Sequence, residues 1–347
     1  LLISALLYGC CTGMLQLMGL RPELLTEGVS YMRIVGLFAF FQAISLAISA
    51  SLRSADKVIY PMMVTVVVNI LNILGNYTLI FGKFGMPALG VEGAAISTSI
   101  ARGVSMVILL VILFRKHIPS FPLRLFRPFP WIELKNLLKV GTPAAGEEIS
   151  YSGSQVVITF FINMLGNEAL ATRTYCWNMI FFVYIFSIAV GQGGAILIGH
   201  LVGEKKVTAA YLLGCYTRRL AIMVSVVLSL GLALCGGWVL EWLTDNPAII
   251  EMGKIILWID VVLEVGRAIN IWATQALRAT GDVNYQFYVG ITVQWLVSVL
   301  FSYLFGIHWG YGLIGMWISF MLDENIRGLI FIHRWHSMKW ATKSFVK

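Results

Sequence analysis

The sequence predicts an all-α, polytopic membrane protein built as two pseudo-symmetric helical bundles, and three observations carry that prediction. Hydrophobic residues make up 59% of the 347-residue chain and charged residues only 12%, about half the charge usual in soluble domains. Matching residues recur 225 positions apart, as in Pro22 and Pro247, Leu24 and Ile249, Gly28 and Gly253, Leu52 and Leu277, and Arg53 and Arg278. A register kept that long points to a duplicated unit rather than chance. Between the copies, Arg115 to Lys139 is the one long polar interruption, with six basic residues and four prolines, and those prolines forbid a continuous helix through it. The expected division is an N-terminal lobe over 1–114, a hinge over 115–140 and a C-terminal lobe over 141–347.

Ten spans follow in order, near 1–20, 28–51, 58–81, 91–114, 141–165, 172–200, 208–242, 248–276, 283–305 and 312–334. Arg21-Pro22 and Asn246-Pro247 open matching helices, since proline is tolerated in a first turn. Gly82, Gly85 and Pro87 make a turn, and Val202 to Ala210 is a short polar connection. The second copy starts at Gly141-Thr142-Pro143. The same register places its counterpart before Leu1, so about 85 further residues, two spans at about 20 residues each, are expected upstream. That makes ten helices present of an expected twelve.

Charge sets the orientation. Assigned to alternate sides, 17 Lys and Arg fall on the side of the hinge and the C-terminus against five on the other, so the hinge and C-terminus are expected in the cytoplasm. Arg102, Arg267 and Arg327 remain at membrane depth. The net charge of +8 sits in short loops beside apolar spans, which fits a bilayer and argues against a nucleic-acid partner. Five scattered cysteines without C-x-x-C spacing suggest neither a zinc site nor a disulfide framework, and no cofactor is expected beyond a coupling ion. Neither G-x-S-x-G nor H-E-x-x-H occurs, which speaks against a membrane-embedded enzyme.

Polar groups inside hydrocarbon are costly unless paired or wet, so the chemistry is sought there. Glu147 and Glu148 follow Pro143 by about one turn; being adjacent they point about 100° apart, so only one can face a cavity squarely, and Tyr151 and Gln155 continue that face. Asp260, Glu264 and Arg267 share one face of the eighth span. A carboxylate near the midplane is a candidate proton or cation site; alternatively, Arg267 neutralises Glu264 and locks helix packing. Asp323, Glu324 and Arg327 read as a packing pair within the last span. Asn69, Asn72 and Asn76, matched in the second half by Gln294, either line a cavity or bond between helices.

These segments resemble the multidrug and toxic compound extrusion (MATE) family. The resemblance rests on L-R-A-T-G-D at Leu277, the pair L-G-V-E-G-A-A-I-S and Y-G-L-I-G-M-W-I-S, the G-T-P-A-A-G-E entry at Gly141, and the basic loop between lobes. It implies a twelve-helix antiporter of two six-helix lobes in the cell membrane, acting as a monomer that exports hydrophobic, often cationic small molecules in exchange for H⁺ or Na⁺. It also implies that Glu147 matches the acid many members carry at the start of the second lobe, and that Asp260 or Glu264 resembles the acid of that lobe's fourth helix. Both repeats run in the same direction, so the cavity is expected between lobes that rock. A lipid-linked oligosaccharide flippase shares that architecture, but its anionic headgroup should select arginines and lysines, whereas buried acids outnumber buried bases six to three.

Overall fold

The computed structural model describes residues 2–17, 22–117 and 128–343, and they form helices without a strand. In chain order the helices are α1 (Leu2–Leu17), α2 (Pro22–Leu37), α3 (Ala39–Ser54), α4 (Ile59–Phe81), α5 (Gly90–Ile112), α6 (Trp131–Met164), α7 (Asn167–Gly203), α8 (Val207–Leu243), α9 (Pro247–Ala279), α10 (Val283–Val293) and α11 (Gly312–His336). They divide into two compact units, Leu1–Phe129 and Pro130–Lys347. Residues 118–127, the centre of the expected hinge, lie outside the described residues.

The 225-residue register is visible in the helix ends. The first residue of α2 and the last of α3, Pro22 and Ser54, lie 225 positions before Pro247 and Ala279, the two ends of α9. Asn246 caps α9 by accepting a hydrogen bond from the Ala248 backbone at 3.0 Å, and Pro247 fills the first turn, where no amide hydrogen is missed. The halves differ inside that shared frame. In the first unit the span is bent by 45° at Phe38, between α2 and α3, and in the second it is one unbroken helix of 33 residues.

Among the described residues five helical stretches are long and apolar enough to cross a membrane, and six if α2 and α3 count as one bent span. The others expected as spans include α6, α9 and α11, whose length is ample but whose charged residues lower their hydropathy. Their polar character reflects what they enclose. In the second unit Ile158, Ile180, Leu240, Ile256, Leu263 and Trp317 form one apolar core, and Trp272, Leu277, Phe331, Trp335 and Trp340 another. Phe182, Leu234 and Trp242 stay on the outer surface, where lipid replaces protein as their apolar neighbour.

Two expectations need correction here. α6 begins at Trp131, ten residues before the expected entry at Gly141, and Pro143 lies inside it. The Leu, Glu and Lys of residues 131–140 are good helix formers, and Pro128 and Pro130 already supply the break. Residues 131–140 therefore belong to a helix of the second unit and not to a connecting loop. Likewise, the span expected over 283–305 is not one regular α-helix: α10 widens into π-helical turns over Gln294–Val299 and Ser302–His308.

Candidate functional site

The polar groups of the second unit converge on two neighbouring cavities. The larger, of about 230 Å³, is walled by α6, α7, α9 and α11, with Glu147, Glu148, Tyr151, Trp177, Arg267 and Glu324 among its lining. The smaller, of about 50 Å³, is lined by Gln155, Arg173, Trp317 and Asp323 together with Tyr151, Arg267, Glu324 and Arg327.

α9 supplies the spine of this arrangement. Its residues Asp260, Glu264, Arg267, Asn270, Thr274 and Arg278 are three or four positions apart, and so form a stripe along one side of the helix. Opposite it, α11 presents Asp323, Glu324 and Arg327. Two glycines let these helices close up. A Cβ on Gly266 would lie 2.7 Å from the Asn325 backbone nitrogen, and one on Gly328 would lie 3.3 Å from the Gly266 carbonyl oxygen, so small residues bring the charged faces together.

Five ions then form one cluster. Arg267 donates to Glu264, and Arg327 to Asp323. Glu324 lies near both arginines, with Arg327 Nη2, the nitrogen that also donates to Asp323, at 3.3 Å and Arg267 Nε at 3.9 Å. Asn270 Nδ2 donates to its other oxygen at 2.6 Å. The fully buried Glu264 also accepts from Ser225 Oγ of α8 at 3.1 Å, and the Arg267 guanidinium lies over the Trp177 ring at 5.8 Å. Buried charges persist only with such partners, because desolvation is costly for each ion.

A second pair closes the far end of the larger cavity. Arg278 Nη2 donates to Glu147 at 2.7 Å, Gln286 of α10 donates to the same carboxylate, and Arg278 Nε donates to Gln286 Oε1 at 3.1 Å. Gly290 of α10 makes room, since a Cβ there would meet Glu147 Oε1 at 3.3 Å.

The residues singled out from sequence separate into three groups. Glu147, Arg267 and Tyr151 line the larger cavity, and Gln155 lines the smaller, where it accepts from Arg173 at 3.1 Å. Asp260 and Glu264 are buried but line neither cavity. Asp260 instead accepts from Trp317 Nε1 at 3.3 Å, and its second oxygen is buried without a partner. Asn72 and Asn76 belong to the first unit, where Asn72 donates to Ser97 and Thr98 at 3.4 Å and accepts from Asn76 at 3.3 Å. These amides tie α4 to α5, the interhelical alternative of their reading.

Three expectations change. Glu147 and Glu148 both line the larger cavity, although they are adjacent. Glu324, read as packing, lines both cavities. The excess of buried acid does not carry over to the larger cavity, whose wall holds three carboxylates (Glu147, Glu148 and Glu324) and three arginines (Arg267, Arg278 and Arg327). Arg278 is not among the expected site residues because it sits in a loop-like motif at the end of α9. Its repeat from Arg53 was the available signal.

A family model described as MatE matches residues 1–78 and 143–304. An uncharacterized transporter of Bacillus subtilis, YisQ, is 36% identical over 343 residues, covering 99% of this chain and 75% of that protein. A probable multidrug resistance protein NorM of Thermotoga maritima is 27% identical over 330 residues, covering 94% of this chain and 70% of that protein. Among solved structures, an outward-facing multidrug resistance MATE family transporter of the MOP superfamily superposes with a TM-score of 0.87 at 20% identity, over 97% of this chain and 76% of that one.

Proposed function

The chain belongs to the MatE family of membrane transporters, and from that premise we propose that it exports hydrophobic, often cationic small molecules by antiport with H⁺ or Na⁺. Members of this family are transporters and not enzymes, and the bilayer and a small-molecule cargo are the partners of a multi-pass protein of this kind. Cargo breadth is supported by the multidrug resistance proteins among its relatives.

One observation carries the reading: a cavity inside the second unit joins aromatic walls at Tyr151, Trp177 and Tyr184 to carboxylates that bind guanidinium groups. Aromatic faces attract lipophilic cations, and a carboxylate that can hold a proton, a metal cation or an organic cation in turn makes these occupants exclude one another. Mutual exclusion is thermodynamic coupling with a negative sign, which is antiport. Glu147, Asp260 and Glu264 are the acids to which the sequence pointed, and Glu324 joins them by its place in the wall. Arg278, Arg267 and Arg327 hold Glu147, Glu264 and Glu324 in position and leave the wall near neutrality, which suits a cargo with limited charge better than a pyrophosphate headgroup.

The orientation is part of the same reading, with the segment before α6 and the C-terminus in the cytoplasm. The test is efflux of ethidium from cells with the gene deleted and then restored in its full-length form. Faster loss of ethidium with the gene present, abolished by collapsing both the H⁺ and Na⁺ gradients, supports the proposal; equal rates in both strains refute it.

A further inference from the structure

Six residues wall both cavities of the second unit: Tyr151, Trp177, Arg267, Gln294, Glu324 and Arg327. From this shared partition the larger cavity reaches Arg278, in the last turn of α9, and the smaller reaches Arg173, near the start of α7. The helices alternate in direction along the chain, so the start of α7 and the end of α9 lie at opposite ends of the unit. The two cavities are thus a polar path through one unit, interrupted at the ion cluster.

The cluster has more acid than base. Glu264, Asp323 and Glu324 contact only two guanidinium groups, those of Arg267 and Arg327. Each arginine has a close partner of its own, Glu264 for Arg267 and Asp323 for Arg327, and Glu324 is the third acid, held at longer range by both. The acids also differ in access. Glu264 lines neither cavity, Asp323 only the smaller, and Glu324 both.

A second observation concerns the hydrogen bonding within the partition. Arg327 is 6% exposed and Asp323 3%, yet Arg327 Nε and Asp323 Oδ1 have no hydrogen-bond partner, and both residues line the smaller cavity. Buried polar atoms left unpaired are costly, so the cluster is held by its ion pairs rather than by a complete hydrogen-bond network.

We propose that Glu324 is the proton-exchanging carboxylate of the second unit, receiving a proton from water in one cavity and returning it to water in the other. The proposal rests on the antiport reading above in its proton-coupled form. The groups that face Glu324 are Arg267 and Glu264 of α9, Arg327 and Asp323 of α11, Tyr151 of α6 and Tyr184 of α7. In the forward step an O–H bond forms on a Glu324 oxygen, one positive charge is added to the cluster, and the hold of Arg267 and Arg327 on that oxygen weakens. Glu264 and Asp323 keep the two arginines in place meanwhile. Loss of the proton to the other cavity restores the starting contacts. Glu264 is then a positioning residue that acts through Arg267.

The test uses the full-length protein in sealed vesicles, with ethidium as the cargo. Wild-type protein should drive ethidium movement when a pH gradient is imposed. Glu324→Gln should lose that drive by about tenfold or more while still exchanging ethidium for ethidium without a gradient, and Glu324→Asp should keep the drive with a displaced pH profile. Glu324→Gln that remains driven by the gradient, or that loses exchange as well, overturns the assignment. Should Glu324→Gln fail to insert, dicyclohexylcarbodiimide on the wild-type protein decides: the reagent attacks protonated carboxyl groups, so modification of Glu324 that falls as pH rises supports the proposal, and modification of Glu264 in its place overturns it. Wild-type protein that moves ethidium without responding to pH would overturn the proton-coupled reading itself, and is measured before any variant.

Discussion

Arg278 Nη2 and Glu147 Oε2 meet at 2.7 Å although the residues are 131 positions apart. The pair ties the middle of α6 to the last turn of α9, at the end of the larger cavity. Arg278 also holds Gln286 of α10, so three helices are joined through one guanidinium. Removing the arginine leaves Glu147, whose side chain is 16% exposed, with only an amide donor. Arg278→Ala should destabilise the protein by about 1–3 kcal/mol, read as a lower midpoint of thermal unfolding in detergent. Glu147→Gln keeps a hydrogen-bond acceptor for both neighbours and should cost less than half of that. Equal losses in the two variants would mean that the ion pair, and not the hydrogen-bond geometry, holds the helices.

Close approach of α9 and α11 has its own test. Gly266 has the Asn325 backbone nitrogen 2.7 Å from where its Cβ would be, a distance at which backbone has to move. Gly266→Ala should separate the helices at the level of Arg267 and Arg327, costing about 1–3 kcal/mol by overpacking and lowering coupled export. Gly153, which has nothing within 4 Å of its Cβ position, is the matched control; Gly153→Ala should leave folded amount and export unchanged. Failure of both variants alike would remove close packing as the cause.

Arg327 shows how one cation serves two acids. It contacts Asp323 and Glu324 and is 6% exposed. Arg327→Ala leaves a buried acid without its cation, and breaking a buried pair in this way costs about 3–5 kcal/mol. The amount of folded protein in the membrane should fall sharply. Lysine should rescue only in part, because an ammonium is more strongly hydrated than a guanidinium and is harder to bury at this site. Full recovery with Arg327→Lys would show that charge alone is needed there.

Much of this fold is legible in the sequence because duplication and membrane periodicity are both local, countable signals. The register linking Pro22 to Pro247 also fixes where α3 and α9 end. The start of α6 was less legible, since Pro143 reads as a helix opening and only the prolines at 128 and 130 show that the break comes earlier. At the site, spacing identifies the α9 stripe but not what covers it. Asp260 is bound by Trp317 of another helix, and a periodic pattern says which side of a helix is polar without naming its neighbour. Glu324 and Asp323 are adjacent, so spacing could not tell which would reach both cavities; that depends on Gly266 and Gly328 setting the separation of α9 and α11.

Orientation can be measured directly. Gly85 lies in the turn between α4 and α5, and Thr342 in the short 3₁₀ turn after α11. Single cysteines at these sites in a cysteine-free background should label from opposite faces of the membrane, Gly85 from outside and Thr342 from the cytoplasm, as the excess of Lys and Arg on the C-terminal side requires. Labelling of both from one face would mean that the number of crossings between them is wrong.

The last prediction separates burial from exchange at Asp260. Its Oδ1 accepts from Trp317 Nε1 at 3.3 Å, its Oδ2 is buried without a partner, and the residue is 1% exposed. It lines neither cavity, so a proton or metal cation could reach it from water only if Trp317 or its neighbours moved. Asp260→Asn retains the shape and an acceptor for Trp317 while removing the charge, and should leave the amount of folded protein near normal and ion-driven export within about threefold of wild type. Asp260→Ala should behave differently: it leaves the indole N–H unpaired and a hole in the core, costing about 2–4 kcal/mol and reducing folded amount. Both variants are read by membrane abundance and by ethidium efflux in the same cells. An Asp260→Asn protein of normal abundance that exports ethidium no faster than a gene deletion would return the coupling charge to Asp260 and require that Trp317 open during each cycle.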